Sequence, residues 1–456
     1  MNHYFIDVFE KAGSPSQLKP HVIFDHVWPE ETLEKHTEIS KDFFDQRDNY
    51  EKLDMQPREY LNKMNLIRLQ ELVAFAYKNI PHYNKIYREV GFEPGDFKSL
   101  QDFELLPIIN KDDLQEIYKQ ALKNPWVKIN HKSRTSGSTG VPLTLINDTN
   151  RHRHMFVQRL QMFESMMGAN LKDEDWIYSI YYEPFLLTSM LGKFPTFTVG
   201  LGAPLPDLEE HIRKIRPAVI TGVANRIIDV AKLLPDAKDL GIKLLTTNSE
   251  TSSAHIRREL SKQLGVPVLD EYSAEELGII AWEQQNGDYL VAEDTVYVEL
   301  VNLNDDYMDT VIGTELWNFA MPRIRYAQND FAEWKEKNPE FGLKRIKRII
   351  GRQDMKIISP QYGSIDPGII SEIFDTTLVR EGSGVKEFRL VQKSLHDIRL
   401  LIKKEVEISD ISEVVLEFRH RFQQHFGFDT ELKIEFVDFI PSLGVKKRSI
   451  VREFNE

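Results

Sequence analysis

Between residues 176 and 269 the chain alternates two kinds of segment, and this alternation restricts the fold more than any other feature of its 456 residues. Trp176–Ile180, Ala218–Gly222, Lys243–Thr247 and Pro267–Leu269 are short apolar runs that read as strands. Asp207–Ile215, Asn225–Leu234 and Ser252–Leu264 lie between them and carry helical spacing. Strands separated by helices of about ten residues predict a parallel sheet with helices on its faces. Runs as apolar as Ala218–Ile220 fit strands covered on both sides.

The flanking regions differ. Residues 1–57 show no clear period and read as an N-terminal extension. A helix is predicted from Tyr60, with Leu66, Leu69, Val73, Ala76 and Tyr77 on one face, ending at Pro81. A short helix follows over Asn84–Val90, closed by Gly91, and another starts at Lys111 after Asn110. From Tyr289 to Trp317 the pattern becomes that of antiparallel strands. A charged stretch, Lys335–Arg348, leads to Gly351-Arg352. Beyond it, strands at Phe388–Val391, Ile398–Lys403 and Leu432–Phe436 and a helix at Asp410–His425 suggest a small α+β unit of about 100 residues. The predicted architecture is α/β: a 1–57 extension, a large body over 58–353 with helix-flanked, parallel-rich sheets, and a C-terminal α+β domain over 354–456.

Composition removes several function classes. There is no cysteine, so disulfides, cysteine metal sites and a cysteine nucleophile are excluded. The net charge of −13 argues against a nucleic-acid coat. No apolar run approaches the roughly 18 residues of a membrane span, and the N-terminus lacks the pattern of a secretory signal. A cytoplasmic location is expected.

The most informative stretch is Arg134-Thr135-Ser136-Gly137-Ser138-Thr139-Gly140-Val141-Pro142. Small residues admit close approach of a ligand, successive amides form an anion-binding nest, and hydroxyls add donors to phosphate oxygens. It is not a Walker A loop, because no lysine follows Gly140 and a strand, not a helix, comes next.

The nine-residue string resembles the phosphate loop of the adenylate-forming superfamily, which includes acyl-CoA synthetases. Arg68–Tyr83 and Leu105–Leu114 resemble the opening of its phenylacetate–CoA ligase branch, which also contains capsule-locus proteins. Asn248-Ser249-Glu250 is similar to the segment lining the adenine pocket, with Ser249 in place of Gly or Ala. Asp270-Glu271-Tyr272-Ser273-Ala274-Glu275-Glu276 is similar to the Tyr-Gly-x-Thr-Glu motif. Ile324–Asp330 resembles Arg-Tyr-x-Thr-Gly-Asp, with Gln328-Asn329 replacing Thr-Gly, and Gly351-Arg352-Gln353-Asp354-Met355-Lys356 resembles the hinge motif. Gly444–Arg452 resembles the Gly-Lys-x-x-Arg loop, with Val445 inserted.

The resemblance implies ATP-dependent formation of an acyl-adenylate and transfer of the acyl group to coenzyme A. Thr135, Ser136, Gly137, Ser138, Thr139 and Gly140 would hold phosphates. Ser249, Glu250, Glu271, Tyr272, Ser273, Asp330, Arg352 and Lys356 would contact the nucleotide, with Tyr272 beside adenine and Asp330 on the ribose. Glu276 would hold Mg²⁺. Lys446, or Lys447 next to it, would be the catalytic lysine, with Glu276 and Thr139 also catalytic and Asp354 the hinge.

Tyr178, Tyr181, Tyr182 and Ala274 would line the acid pocket. Tyr178, Tyr181, Tyr182, Phe185, Phe194 and Phe197 suit an aromatic acid, with ordinary core packing as the equal alternative. Lys344, Arg345, Lys347 and Arg348 would meet CoA phosphates or else form a solvated face. Arg151-His152-Arg153-His154 reads as surface rather than metal-binding, since i and i+2 do not share a helix face. Expected partners are the small acid, ATP, and CoA or a carrier protein; an amine acceptor and a homodimer are compatible. A catalytically silent binding protein is the reading from another class.

Overall fold

The computed structural model describes residues 41, 53–123, 131–134, 143–181, 188–190, 193–250, 252–303, 309–352, 357–365, 367–378, 382–404, 410–427, 432–440 and 450–453. Most of the N-terminal extension, the phosphate loop Thr135–Gly140, Tyr182, Phe185, Asp354, Lys356, Lys446 and Lys447 lie outside these residues.

Helices α1 (Arg58–Asn79), α2 (Pro81–Glu89), α3 (Leu100–Glu104) and α4 (Lys111–Ala121) come first. Pro81, expected to end a helix, also begins the next one at a position where its missing N–H costs nothing. Asn110 caps α4 with its side chain, and Asp113 returns the bond to the Asn110 N–H. The hairpin β1 (His131–Arg134) and β2 (Thr144–Asn147) follows, its register pairing Arg134 with Thr144 across the intervening phosphate-loop sequence.

Next come α5 (Thr149–Met167), β3 (Ile177–Tyr181), β4 (Thr188–Met190), β5 (Lys193–Gly200), α6 (Leu205–Ile215), β6 (Val219–Val223), α7 (Ala224–Leu233), β7 (Leu244–Asn248), α8 (Ala254–Leu264) and β8 (Val268–Ala274). Strand β3 pairs in parallel with β5 and β6, β6 with β7, and β7 with β8, as the alternation predicts. Strands β9 (Gly278–Glu283), β10 (Tyr289–Val291), β11 (Val296–Val301), β12 (Asp309–Glu315), β13 (Tyr326–Glu336) and β14 (Arg345–Arg352) continue the same sheet in antiparallel fashion.

The result is one twelve-stranded sheet in the order β11-β12-β13-β14-β10-β9-β8-β7-β6-β3-β5-β4. Strand β8 joins its halves, pairing in parallel with β7 on one edge and antiparallel with β9 on the other. Three apolar cores cover the sheet. One lies under α1–α4 and the antiparallel half, one under α6–α8, and one under α5.

Arg151, Arg153 and His154 depart from the surface expectation: all are buried within α5. The His154 ring stacks on Trp317 at 4.1 Å and its Nε2 lies 2.7 Å from the Thr295 hydroxyl. Burial holds its pKa well below the ordinary 6.5, so the ring is neutral. Polar residues can occupy such a helix when partners meet them inside.

The remaining elements are the hairpin β15 (Ile357–Ser359) and β16 (Gly363–Ile365), α9 (Pro367–Thr376), β17 (Val385–Gln392), β18 (Ile398–Lys404), α10 (Ser412–Phe426), β19 (Leu432–Phe436) and β20 (Ile450–Arg452). Strands β19-β18-β17-β20 form a second sheet, over an apolar core that draws only on residues 357–450. Stacked Phe374, Phe418, Phe422 and Phe426 fill its centre.

Candidate active site

The carboxyl ends of parallel strands are where open α/β sheets bind ligands. Here the ends of β3, β6, β7 and β8 bring together Tyr181, Gly222, Asn248, Ser249, Glu271 and Tyr272. Gly222 leaves no room for a side chain: a Cβ there would stand 2.2 Å from the Ile180 carbonyl oxygen.

Tyr272 and Asp330 meet directly. The Tyr272 hydroxyl donates to the Asp330 carboxylate at 2.8 Å, joining β8 to β13 across 58 residues of sequence. Asp330 in turn lies opposite Arg352 in the β13–β14 register. Three residues singled out in separate motifs thus converge on one end of the sheet.

Both replacements in the motifs have a conformational explanation. Asn329 has φ 64° and Ser249 has φ 63°. This left-handed region is where glycine is at home, and asparagine is the side chain that tolerates it best. Asn329 therefore keeps the irregularity in β13, where its register with β12 shifts, that aims Asp330. Ser249 holds its turn with a bond from its hydroxyl to Asn248 Oδ1 at 3.0 Å, while Glu250 accepts from the Asn225 amide at 2.8 Å.

The upstream motifs serve this same region. The Tyr83 hydroxyl donates to the Pro322 carbonyl and accepts from the Ile324 N–H, both at 3.0 Å. The Ile109 N–H donates to the Arg325 carbonyl, and the Ala327 N–H donates back to Ile109, each at 3.0 Å. The Arg325 guanidinium grips Glu299 with two bonds, of 2.8 and 3.1 Å, and reaches the carbonyls of Glu104 and Leu106. Segments 80–83 and 105–109 act as straps on the strand that carries Asp330.

Beneath β8 lies a buried charged network that sequence inspection missed. Arg257 Nη2 is 2.9 Å from Glu283 Oε2, with both side chains almost fully enclosed. The guanidinium also donates to the Ser252 carbonyl and hydroxyl at 2.6 Å. Glu283 accepts from the Asp270 N–H at 3.0 Å, and the Asp270 carboxylate accepts from Tyr289, Ser252 and Thr247. The network fixes the residue that precedes Glu271 and Tyr272. Burial raises the Glu283 pKa even with Arg257 beside it. The only sequence signal was the polarity of Arg257 within an apolar helix face.

Glu271 is buried, which raises its pKa, while facing Arg159 and hydrogen bonds from Ser273 and Asn248 pull the other way. Tyr181 is raised chiefly by burial; Glu275 lies near it and Ser249 hydrogen-bonds its hydroxyl. Glu276 stands half-buried at the turn after β8, close enough to the buried Arg323 to act on it electrostatically, as is Glu275. Ala274 packs against the core under α1–α4.

Tyr178 is corrected: it is a core residue, not a pocket residue. It is fully enclosed, packs on Phe197 and bonds His211 Nδ1 at 3.0 Å on the α6–α7 side. Phe194 and Phe197 are likewise core. Strand alternation turns Tyr181 to the opposite, α5 side. The cations suggested for CoA already have partners: Lys347 and Arg348 bond Glu333, and Arg345 bonds Asp54. Lys344 lies over Tyr297 and Trp334, and burial lowers its pKa.

No family model matches the chain. It is 24% identical over 416 residues to a phenylacetate-coenzyme A ligase of Escherichia coli K12, covering 84% of this chain and 92% of the relative. It is 23% identical over 411 residues to the Protein CapK of Staphylococcus aureus, covering 84% and 87%. Its fold is similar to that of a 2-hydroxyisobutyryl-CoA ligase in the postadenylation state with R3-HIB-AMP: TM-score 0.71, 22% identity, 87% of this chain and 90% of that one. The chain thus resembles the phenylacetate–CoA ligase branch of the adenylate-forming enzymes over most of its length.

Proposed function

We propose that this chain activates a carboxylic acid with ATP and passes the acyl group to coenzyme A. The observation that carries this reading is the convergence of Tyr272, Asp330 and the Arg352 position at the carboxyl end of the central strands. Asp330 offers two acceptor oxygens to a ribose diol, and Tyr272 offers its ring to adenine. Ser249 and Glu250 sit on the adjoining turn, with Glu271 and Ser273 flanking Tyr272.

In the first step an oxygen of the acid attacks the α-phosphorus, the bond to the β-phosphate breaks, and pyrophosphate leaves. The difficulty is bringing two anions together, so positioning and electrostatics dominate. Thr135, Ser136, Ser138 and Thr139, with the Gly137 and Gly140 amides, would hold the departing phosphates. Lys446 would place its ammonium between the carboxylate and the phosphate, with Lys447 the alternative donor. Mg²⁺ would neutralise phosphate charge. A cation delivered on ATP needs only one or two protein carboxylates, and Glu276, half-buried at the turn after β8, would supply one.

In the second step the thiol sulfur attacks the acyl carbon, the carbon–oxygen bond to AMP breaks, and the thiol proton passes to solvent. The separate core beyond residue 357 supports a boundary at Asp354, with Arg352 and Lys356 beside it. A rotation about that point would remove the lysine and admit the thiol. ATP and CoA are both cytoplasmic, which supports that compartment.

The ion pairing of Lys347, Arg348 and Arg345 favours keeping a second reading, in which the acceptor is a carrier protein or an amine. Exchange of labelled pyrophosphate into ATP tests the first step: it should depend on acid, and no exchange with any acid of a broad panel refutes the reading. Adding or omitting CoA then decides the acceptor by whether a thioester appears.

A further inference from the structure

Helix α5 is enclosed on nearly every side, yet one residue of it reaches open space. Between Arg151 and Met166, Arg159 alone is exposed, flanked by Val157, Gln158 and Leu160, all at 2% exposure or less. The register shows which elements border the space that Arg159 enters.

Gln158 donates to the Ile279 carbonyl at 3.1 Å, and Ile279 pairs with Ser273 of β8. Arg159 is thereby set beside the end of β8 that carries Glu271. One helical turn further on, Phe163 packs in one core with Ile177 of β3. Ile177, Ser179 and Tyr181 share a face of that strand, so Arg159 and Tyr181 border the same space from opposite walls. Electrostatic interaction of Arg159 with both Tyr181 and Glu271 agrees with this placement. Arg159 makes no hydrogen bond or ion pair with any other described residue.

The same space is where the acid must lie if the chain is an adenylating enzyme, on which this inference rests. We infer that Arg159 is a specificity-determining residue: it pairs with a second anionic group on the acid, at the end away from the carboxylate that is activated. The substrate class is then a dicarboxylic or similarly doubly acidic compound rather than an acid with a neutral aromatic tail. Three of the six aromatics that suggested an aromatic acid are committed to the core, and Tyr181 is the described one facing this space. A planar guanidinium without a committed ion-pair partner among the described residues is the side chain best suited to a carboxylate, which it binds through two parallel bonds.

The test is acid-dependent pyrophosphate exchange with matched pairs, pentanoate against glutarate and phenylacetate against its para-carboxylated analogue. Wild type should prefer the diacid of each pair. Arg159→Gln should raise KM for the diacid by about 10- to 100-fold, leave the monoacid almost unchanged, and leave KM for ATP unaltered. Arg159→Lys should restore part of the preference. Exchange with monoacids but not diacids, or an equal KM increase for both, overturns the inference while leaving adenylation intact. The second of these results would mean that Arg159 serves the reacting carboxylate or only balances Glu271. No exchange with any acid overturns the adenylation reading and this inference together.

Discussion

Replacing Arg257 with Met should expose the energetic role of the network under β8. Methionine keeps much of the aliphatic volume but removes the charge. It leaves Glu283 and Asp270 as neighbouring carboxylates, the former 5% exposed, and strips the donors at 2.6 Å from the Ser252 carbonyl and hydroxyl. Breaking one side of a buried ion pair costs about 3–5 kcal/mol. Part of that cost is avoidable by protonating Glu283, whose pKa burial already raises in the intact protein. A carboxylate with a raised folded-state pKa contributes stability that is present below its unfolded value and lost as pH rises through the folded value. The loss should therefore be smaller, about 1–2 kcal/mol, near pH 5 and reach about 3–5 kcal/mol at pH 8. Urea titration followed by tryptophan fluorescence at both pH values reads this directly. The double variant Arg257→Met with Glu283→Met should recover at least about 1 kcal/mol at pH 8, because no uncompensated glutamate remains. A single-variant loss below about 1 kcal/mol at pH 8, or one that is the same at both pH values, would refute the reasoning.

Asn329→Val should destabilise the chain by about 1–3 kcal/mol, since a β-branched residue is strained at φ 64°, whereas Asn329→Gly should stay near neutral; denaturant midpoints of the two variants make the comparison. Asp294 has its pKa pushed up to about 6, chiefly by burial, from an ordinary 3.8. Its protonated form stabilises the fold below pH 4, and that contribution fades as pH rises through 6. Asp294→Asn should accordingly gain on wild type by up to about 3 kcal/mol between pH 4 and 7, and a stability difference independent of pH would contradict the assignment. Lys446→Ala should slow adenylate formation by at least about a hundredfold while sparing thioester formation from a supplied acyl-adenylate; assaying the two half-reactions separately distinguishes this from a general loss of fold.

The parallel half of the sheet was legible because its strands are apolar runs and its helices carry a regular stripe. The burial of helix α5 was not, because a helix enclosed on nearly every side loses the polar face that gives the stripe its contrast. Its Arg151, Arg153 and His154 imitate a surface segment, yet all three are buried, Arg151 pairing with Glu315 at 3.6 Å and His154 bonding Thr295. The joining of both halves into one sheet was also hidden. It runs through β8, and the attachment of β11–β14 to that junction depends on β10 pairing with β14, residues 289–290 against 345–346, a contact that no local pattern records. Within the candidate site, Tyr272 and Asp330 could be named from motifs, but their direct bond could not. Tyr178 shows the reverse case: alternation along β3 already separates it from Tyr181, and the signal was overridden by counting aromatics together. Arg159 left no trace in the sequence, since its meaning lies in the burial of its neighbours.

Strand β8 turns Asp270 and Tyr272 to one face of the sheet and Leu269 and Glu271 to the other. One side serves the network and the Asp330 contact, the other faces Arg159. A single inserted or deleted residue within Val268–Ala274 would exchange those assignments at a stroke, presenting a carboxylate where a phenol belongs. Substitution at fixed length along β8 therefore keeps each residue on its side of the sheet, while changes of length are confined to the connections at its ends.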